Sequence, residues 1–454
     1  MRPSFALPAA RTGWRAAISS LEDSQFRWLF GSNILFFFGM QGQMIVRSII
    51  TFDLTQSPFA LGLINFAVAI PMMLVSPFGG VVADRVERRQ LILAGQGALI
   101  ASELVILTLL VTGLLQLWHL ITAATLMGCI FPFIMPARTA IVVNIIGKRG
   151  LQNAMALQMG GMNATRILGP AAAGLAIPVV GLSGAFAVGS ALYILAFLCL
   201  FGVKRSPPPE QEREASVVGD LSEGVRYMAE NRLVLMLMLF GIVPMFLAMP
   251  FQTLLVVFTE QVWEVGTQGL GALYAFGGVG GLIGSAYLAQ RSESLGRLWL
   301  MVASALVFAG FLFLFALSPY FLMALPLVLI ANVFASIFST LNHTAVQLLI
   351  PDRVRGRISS FMMMSFGITP LGTLPMSAVA EQWGAPVAVA LAAGAVILVT
   401  LLFTGGSSAL RSVDARTQEV LEAERHAERL EIEEGQRAAS ANLEPAGAAD
   451  SRLT

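Results

Sequence analysis

Charge is what this sequence has least of. Only 12% of its 454 residues are Asp, Glu, Lys or Arg, against about 25% in an ordinary soluble domain. With 56% hydrophobic residues and a mean hydropathy of +0.76, the chain is excluded from the soluble globular class. A formal net charge of +1 carries no signature of nucleic-acid binding. The two cysteines, Cys129 and Cys199, sit inside apolar runs and read as small buried hydrophobes. The three histidines, His119, His343 and His426, are too scattered for metal-ligand spacing. A phosphate-cradling GxxxxGK[ST] is absent, so no ATP-driven pump is indicated. No enzyme constellation appears, and no cofactor or metal is expected. Residues 1–25 carry Arg2, Arg11 and Arg15 but no apolar stretch ending in a small-residue cleavage site. The first long apolar run is therefore expected to remain as a span.

What the chain does have is long apolar runs. About 20 such residues are needed to cross the ~30 Å hydrocarbon core as a helix. Runs of that kind lie at 28–52, 59–83, 91–113, 117–140, 154–178 and 182–203, and again at 233–258, 268–289, 297–317, 320–345, 358–380 and 385–405. Their continuity is wrong for a barrel of ~10-residue alternating strands. The expected fold is all-α and integral to the membrane, with about twelve transmembrane helices in two pseudo-symmetric six-helix bundles. The expected units are an N-terminal segment 1–27, a bundle 28–203, a linker 204–232 with a surface helix, a bundle 233–405 and a charged tail 406–454.

Arginine is also unevenly placed. One set of connections holds Arg85, Arg88 and Arg89; Lys148 and Arg149; the central segment; Arg291 and Arg297; and Arg353, Arg355 and Arg357. The alternate connections, near 53–58, 113–117, 178–184, 259–267, 318–320 and 381–384, have no Lys or Arg. By the positive-inside rule the arginine loops, the linker and both termini are expected in the cytoplasm. The halves also repeat. Thr139-Ala140-Ile141-Val142 precedes Gly169-Pro170 by the same separation that parts Thr344-Ala345-Val346-Gln347 from Leu374-Pro375. Six-plus-six parallel repeats suit a transporter with a midplane site.

The densest charge cluster is Gly79-Gly80-Val81-Val82-Ala83-Asp84-Arg85-Val86-Glu87-Arg88-Arg89, between spans 2 and 3. It resembles the signature loop of the major facilitator superfamily, with Glu87 where that family usually has glycine. The departure resembles the bacterial macrolide-efflux and enterobactin-exporter branch. So do Asp53-Leu54-Thr55-Gln56-Ser57-Pro58, Asn163-Ala164-Thr165-Arg166-Ile167-Leu168-Gly169-Pro170, and Glu223-Gly224-Val225-Arg226-Tyr227. The resemblance covers about 20–405. It implies a secondary transporter of the bacterial inner membrane, exporting small amphipathic molecules such as drugs or siderophores by alternating access. Proton antiport is the implied coupling. Uptake or facilitated diffusion is the first alternative, and a non-transporting receptor or scaffold the second. The expected partners are a small-molecule substrate, protons and lipid, with the chain acting as a monomer.

The resemblance makes Gly80, Asp84, Arg85, Arg88 and Arg89 a cytoplasmic gate, with Arg138 of span 4 and span 11 near Gly356 to Ser359 as partners of Asp84. Charges deep in the bilayer cost on the order of 2.5–3.5 kcal/mol, so each is a functional candidate. Arg166 lies halfway along span 5, with Asn163 on the same face. Arg47 lies in the outer half of span 1, one turn after Gln43. These four, with Gln252, Asn332 and Ser336, are the candidate polar lining of a substrate cavity. The competing reading of Arg166 is a structural bond between helices. Glu103, the one acid near the middle of a span, is a candidate proton carrier, as are Asp53 and His343. Gly169, Pro170 and Gly174 mark a hinge or close packing contact. Span 1 has no mid-membrane carboxylate.

Overall fold

The computed structural model describes residues 19–206, 226–290, 297–351, 358, 371–406 and 413, 414, 416, 418, 419 and 422. The side chains of Asp84, Lys148, Arg149 and Gln152, and the surroundings of Gly80 and Val81, are not among the described features. The N-terminal segment, most of the linker, the expected Asp84 partner near Gly356 to Ser359, and most of the tail also lie outside the described residues.

Every regular element described is helical. α1 is Ser24–Thr55, started by Asp23, whose carboxylate accepts from the N–H groups of Gln25 and Phe26. α2 is Pro58–Arg85, with Ser57 as its cap and Pro58 in the first turn. α3 is Arg88–Val111. The helical run Leu117–Cys199 is broken at Gly147 (φ 68°) and Gly181 (φ 73°). These left-handed positions suit glycine, which has no Cβ to clash. They divide the run into α4 (117–146), α5 (148–180) and α6 (182–199). In the second half α7 is Arg232–Leu247 and α8 is Phe251–Val257, which continues as a π-helical turn over Phe258–Val262. α9 is Gly266–Gln290, α10 is Arg297–Ala316 and α11 is Phe321–Leu349. α12 covers 371–383, and α13 is Ala385–Gly406.

Among the described residues, ten helices are long and apolar enough to cross a membrane. One of them, Asn153–Gly202, is 50 residues long. At 1.5 Å per residue that is roughly 75 Å, too long for one crossing of a ~30 Å core, and the Gly181 break folds it back. The chain is a multi-pass membrane protein.

Among the described residues, the buried core is split at one end and joined at the other. Near the arginine-bearing loops, one cluster belongs to the first half alone, with Phe26, Leu29, Ile92, Ile134, Ile141 and Val203. A second belongs to the second half alone, with Val234, Leu237, Met301, Phe338 and Ile350. At the arginine-free end a single cluster runs through both halves. It includes Ile49, Phe52 and Phe186 from the first half and Leu254, Phe258, Phe315 and Val389 from the second. Lipid gives helices no hydrophobic reason to associate, so close backbone approach and polar bonds must hold this seam. Both are present. Gly174 of α5 lies so close to Gly271 of α9 that a Cβ added to it would stand 2.5 Å from the Gly271 Cα. Glu381 of α12 accepts hydrogen bonds from the Ser57 hydroxyl at 2.8 Å and the Phe59 N–H at 3.1 Å, at the N-terminus of α2. A carboxylate there also complements the helix dipole.

Two substitutions test this seam. Gly174→Val forces the α5 and α9 backbones apart and is expected to widen the arginine-free end. Glu381→Ala removes about 1 kcal/mol of helix-terminal stabilisation, so its shift is expected to be smaller and in the same direction. Spin-label distances across the arginine-free end, measured in lipid nanodiscs, read both. An unchanged distance distribution in Gly174→Val counts against the seam.

Candidate functional site

A column of buried polar side chains runs through the first half. At its top, Arg47 of α1 forms an ion pair with Glu103 of α3 through Nη2 and Oε1; their side chains are 14% and 3% exposed. One turn away, Gln43 is buried and donates from Nε2 to the Phe186 carbonyl of α6 at 2.9 Å. Two turns before Glu103 on α3, Gln96 donates to the Tyr193 carbonyl of α6 at 3.0 Å. The other end of the Gln96 amide accepts from Arg138 Nη2 of α4 at 2.6 Å. Arg138 is almost wholly buried, donates from Nη1 to Asn33 and Ser32 of α1, and stands over the Phe36 ring at 4.8 Å. Ser32 passes its own hydroxyl hydrogen to the Ala196 carbonyl at 2.8 Å. The column therefore ties α1, α3, α4 and α6 together. It is not fully satisfied. Arg47 Nε, Glu103 Oε2, Arg138 Nε, Asn33 Nδ2 and Gln43 Oε1 are buried with no hydrogen-bond partner among the described residues.

The central face of α5 is different in kind. Gly161 and Gly169 of α5 pack on Phe30, Ile34, Phe38 and Gln41 of α1, while Ile167 and Gly174 pack on Gly278 and Gly271 of α9. Leu157, Leu168 and Leu175 form an apolar strip on the opposite side. At 100° per residue, Met159, Asn163 and Arg166 fall between the α1 and α9 contacts, on the side away from that strip. All three are exposed. Arg166 has no hydrogen-bond or ion-pair partner among the described residues.

The other candidates take varied places. Asn332 and Ser336 of α11 lie against Gly277, Gly280 and Gly284 of α9, and the Ser336 and Ser285 hydroxyls share a 2.8 Å bond. Gln252 is half-buried, and its carbonyl accepts from the Tyr274 hydroxyl at 3.0 Å. His343 is exposed on α11, and Asp53 is exposed in the last turn of α1. Gly169 and Pro170 are buried where α5 crosses α1, and Gly174 where α5 meets α9.

The described bonds of Glu87, Arg88 and Arg89 run to their own half. Glu87 caps α3 through the N–H groups of Arg89 and Gln90, at 3.1 and 2.9 Å, and also accepts from the Ser206 N–H at 2.8 Å. Arg88 is buried, with its backbone N–H on the Ser206 carbonyl. Arg89 donates to the Leu200 carbonyl at 2.9 Å and lies over the Phe201 ring. Arg85 is exposed. The Asp84 side chain is outside the described residues, and the described partners of Arg138 are the neutral groups of the column.

These helices, this loop and this column fit a known family. The sequence profile of transmembrane secretion effectors matches residues 15–438. The chain belongs to the transmembrane secretion effectors of the major facilitator superfamily. It is 25% identical to the staphyloferrin A transporter of Staphylococcus aureus over 381 residues, covering 83% of this chain and 95% of that protein. It is also 25% identical to the enterobactin exporter EntS of Escherichia coli, over 67% of this chain and 73% of the exporter. Among solved structures it resembles the nucleoside transporter NupG with a TM-score of 0.70 at 13% identity, over 84% of this chain and 99% of that one. A bacterial homologue of the lysosomal transporter Spinster gives 0.63 at 14% identity, over 90% and 99%. This secretion effector is thus a multi-pass transporter of the enterobactin-exporter-like branch.

The sequence marks Arg47 and Glu103 separately, as a cavity residue and a candidate proton carrier; the fold joins them. Ser32, Asn33, Gln96 and Glu381 carry no such mark when taken singly. The spacing of seven between Gln96 and Glu103, two polar residues on one face of an apolar span, is the signal that would have found Gln96. Nothing local marks Glu381, whose partners lie more than 300 residues away in sequence.

Breaking one partner of a buried pair strands the other charge, a loss of about 3–5 kcal/mol. Arg47→Met and Glu103→Leu are each expected to lower the stability of the secretion effector by that order. The double variant is expected to recover most of it. A double-mutant cycle of unfolding in detergent or bicelles checks this, and additive losses would show that the two side chains do not interact.

Proposed function

We propose that this chain is a proton-coupled exporter of small amphipathic molecules, siderophores among them, in a bacterial inner membrane. In this reading twelve helices form two six-helix bundles, 28–203 and 233–405, joined by the segment 204–232. The arginine loops and both termini face the cytoplasm. The observation that carries the reading is the core that is joined at one end and split at the other. A carrier whose bundles rock about a midplane site must close one end while the other parts. With the arginine loops inside, the described arrangement is inward-facing. The family's description as secretion effectors, and the enterobactin exporters among its relatives, favour export.

Closure of the opposite end falls to the loop containing Gly80, Asp84, Arg85, Arg88 and Arg89. Its glycines allow close approach, and Asp84 can accept charge-assisted bonds once the bundles meet. Proton coupling falls to Glu103. An ionised Glu103 holds Arg47 and so fixes α1 to α3. A proton on the carboxylate weakens that hold and leaves α1 freer to move at the seam where Ile49 and Phe52 pack. The absence of a carboxylate deep in α1 keeps facilitated diffusion as the second reading.

Flux from proteoliposomes, with and without an inward-acid pH gradient, separates the two. Export should accelerate with the gradient. Glu103→Gln should lose that acceleration while retaining downhill exchange. Asp84→Asn should shift the balance of inward- and outward-facing states and leave substrate affinity largely intact. Gradient-insensitive flux in the wild type would leave a facilitative carrier, and no flux of any compound from folded protein would end the transport reading.

A further inference from the structure

Arg47 and Arg166 lie inside spans, with Arg138 near the end of span 4, against one carboxylate inside a span, Glu103. Glu103 is committed to Arg47. Arg138 is buried among neutral partners. Arg166 differs from both, being exposed and without a partner among the described residues. It sits roughly 27 Å along α5 from the Gly147 break at 1.5 Å per residue, too far from either end for its side chain to reach the interface easily. Neither its own helix nor α9 carries an acid, and α1 carries none between Ser24 and Phe52. The sequence has no Asp or Glu from 104 to 203, from 265 to 292 or from 294 to 351. That covers α4, α5, α6, α9, α10 and α11. A guanidinium held at this depth requires water or an anion to reach it.

We propose that Arg166 is the anion-binding residue of the transport site, and that the transported molecule presents a carboxylate or an equivalent pair of anionic oxygens there. The inference rests on the transporter reading above and names the chemical class of its substrate. A guanidinium fork matches two such oxygens through parallel N–H bonds. Asn163, one turn earlier on the same face, supplies a neutral amide donor beside it. The apolar remainder of the substrate lies against side chains such as Met159. The surplus positive charge of the face selects against lipophilic cations.

The test compares wild type with Arg166→Met and Arg166→Lys in nanodiscs. The probes are an amphipathic monocarboxylic acid, its methyl ester, and tetraphenylphosphonium. Wild type should bind the acid in preference to the ester and the cation. Arg166→Met should weaken binding of the acid about 10- to 100-fold, the range for a hydrogen bond to a charged group, and leave the ester unchanged. Arg166→Lys should keep part of the preference. Without ligand, Arg166→Met should melt at or above the wild-type temperature, because an unpaired deep cation has been removed. Equal binding of acid and ester by wild type, or no binding of the acid, overturns the proposal. So does a lower ligand-free melting temperature with an unaltered preference, which assigns Arg166 a structural role. Flux of neutral or cationic compounds without any flux of anions leaves the transporter reading standing and removes this inference. Arg166-dependent binding of the acid with no flux of any compound does the reverse.

Discussion

Hydrocarbon offers no hydrogen-bond partner, so a polar side chain placed in it must be answered from within the protein. In the first half that requirement is met by the column from Arg47 and Glu103 down to Arg138 and Asn33. Each bond in it joins two different helices, α1 to α3, α3 to α6, α4 to α1 and α3, and α1 to α6. Four helices are thereby held as one body. The described second half is tied by Asn342 on the Leu237 carbonyl, by the Tyr274 hydroxyl on the Gln252 carbonyl and by the Ser285–Ser336 pair. There the glycines of α9 bring it against α11 instead. On the proposed reading, two bundles built by different means could move against each other without either coming apart.

The seam between the bodies depends on the same physics in a milder form. Apolar surface alone does not hold helices together in lipid, but removing side chains lets backbones touch. Gly174 and Gly271 do this for α5 and α9, and Gly62 does it for α2 against Leu374 and Ser377 of α12. Prolines add bends along α2 and at the α7–α8 junction. Glycine contacts and one exposed carboxylate add to the buried apolar cluster that runs through both halves at this end.

The all-helical membrane fold was legible in the sequence, because run length is a local property. Helix ends were less so. Span 1 begins at Ser24, where Asp23 caps it, and α4 runs on to the Gly147 break; amphipathic, capped ends are invisible to an apolar-run criterion. The site was legible residue by residue but not as an arrangement. Arg47, Glu103 and Arg166 announced themselves as charges in apolar runs. Which of them would be paired is decided by helix rotation and packing, and no single span specifies that. Gln43 and Gln252 show the same limit. Both are polar residues in apolar spans, yet Gln43 turns onto α6 and Gln252 offers its carbonyl to Tyr274.

The arrangement also joins the deep charges mechanically. Arg47, which binds Glu103, belongs to α1. The same helix meets α5 at Gly42 and Gly169, where a Cβ on Gly42 would lie 3.5 Å from the Gly169 carbonyl. Arg166 is three residues from that crossing. A change in the hold of Glu103 on Arg47 therefore acts on a helix in direct backbone contact with the one that carries Arg166. Packed interiors of this density do not deform gradually, so a loosened α1 moves between discrete positions. On the proposed reading, Glu103 and Arg166 would bias one equilibrium through α1, which is the physical requirement for coupling. The connection needs no charge relay between them. It needs α1 to be rigid, and the column and the glycine crossing make it so.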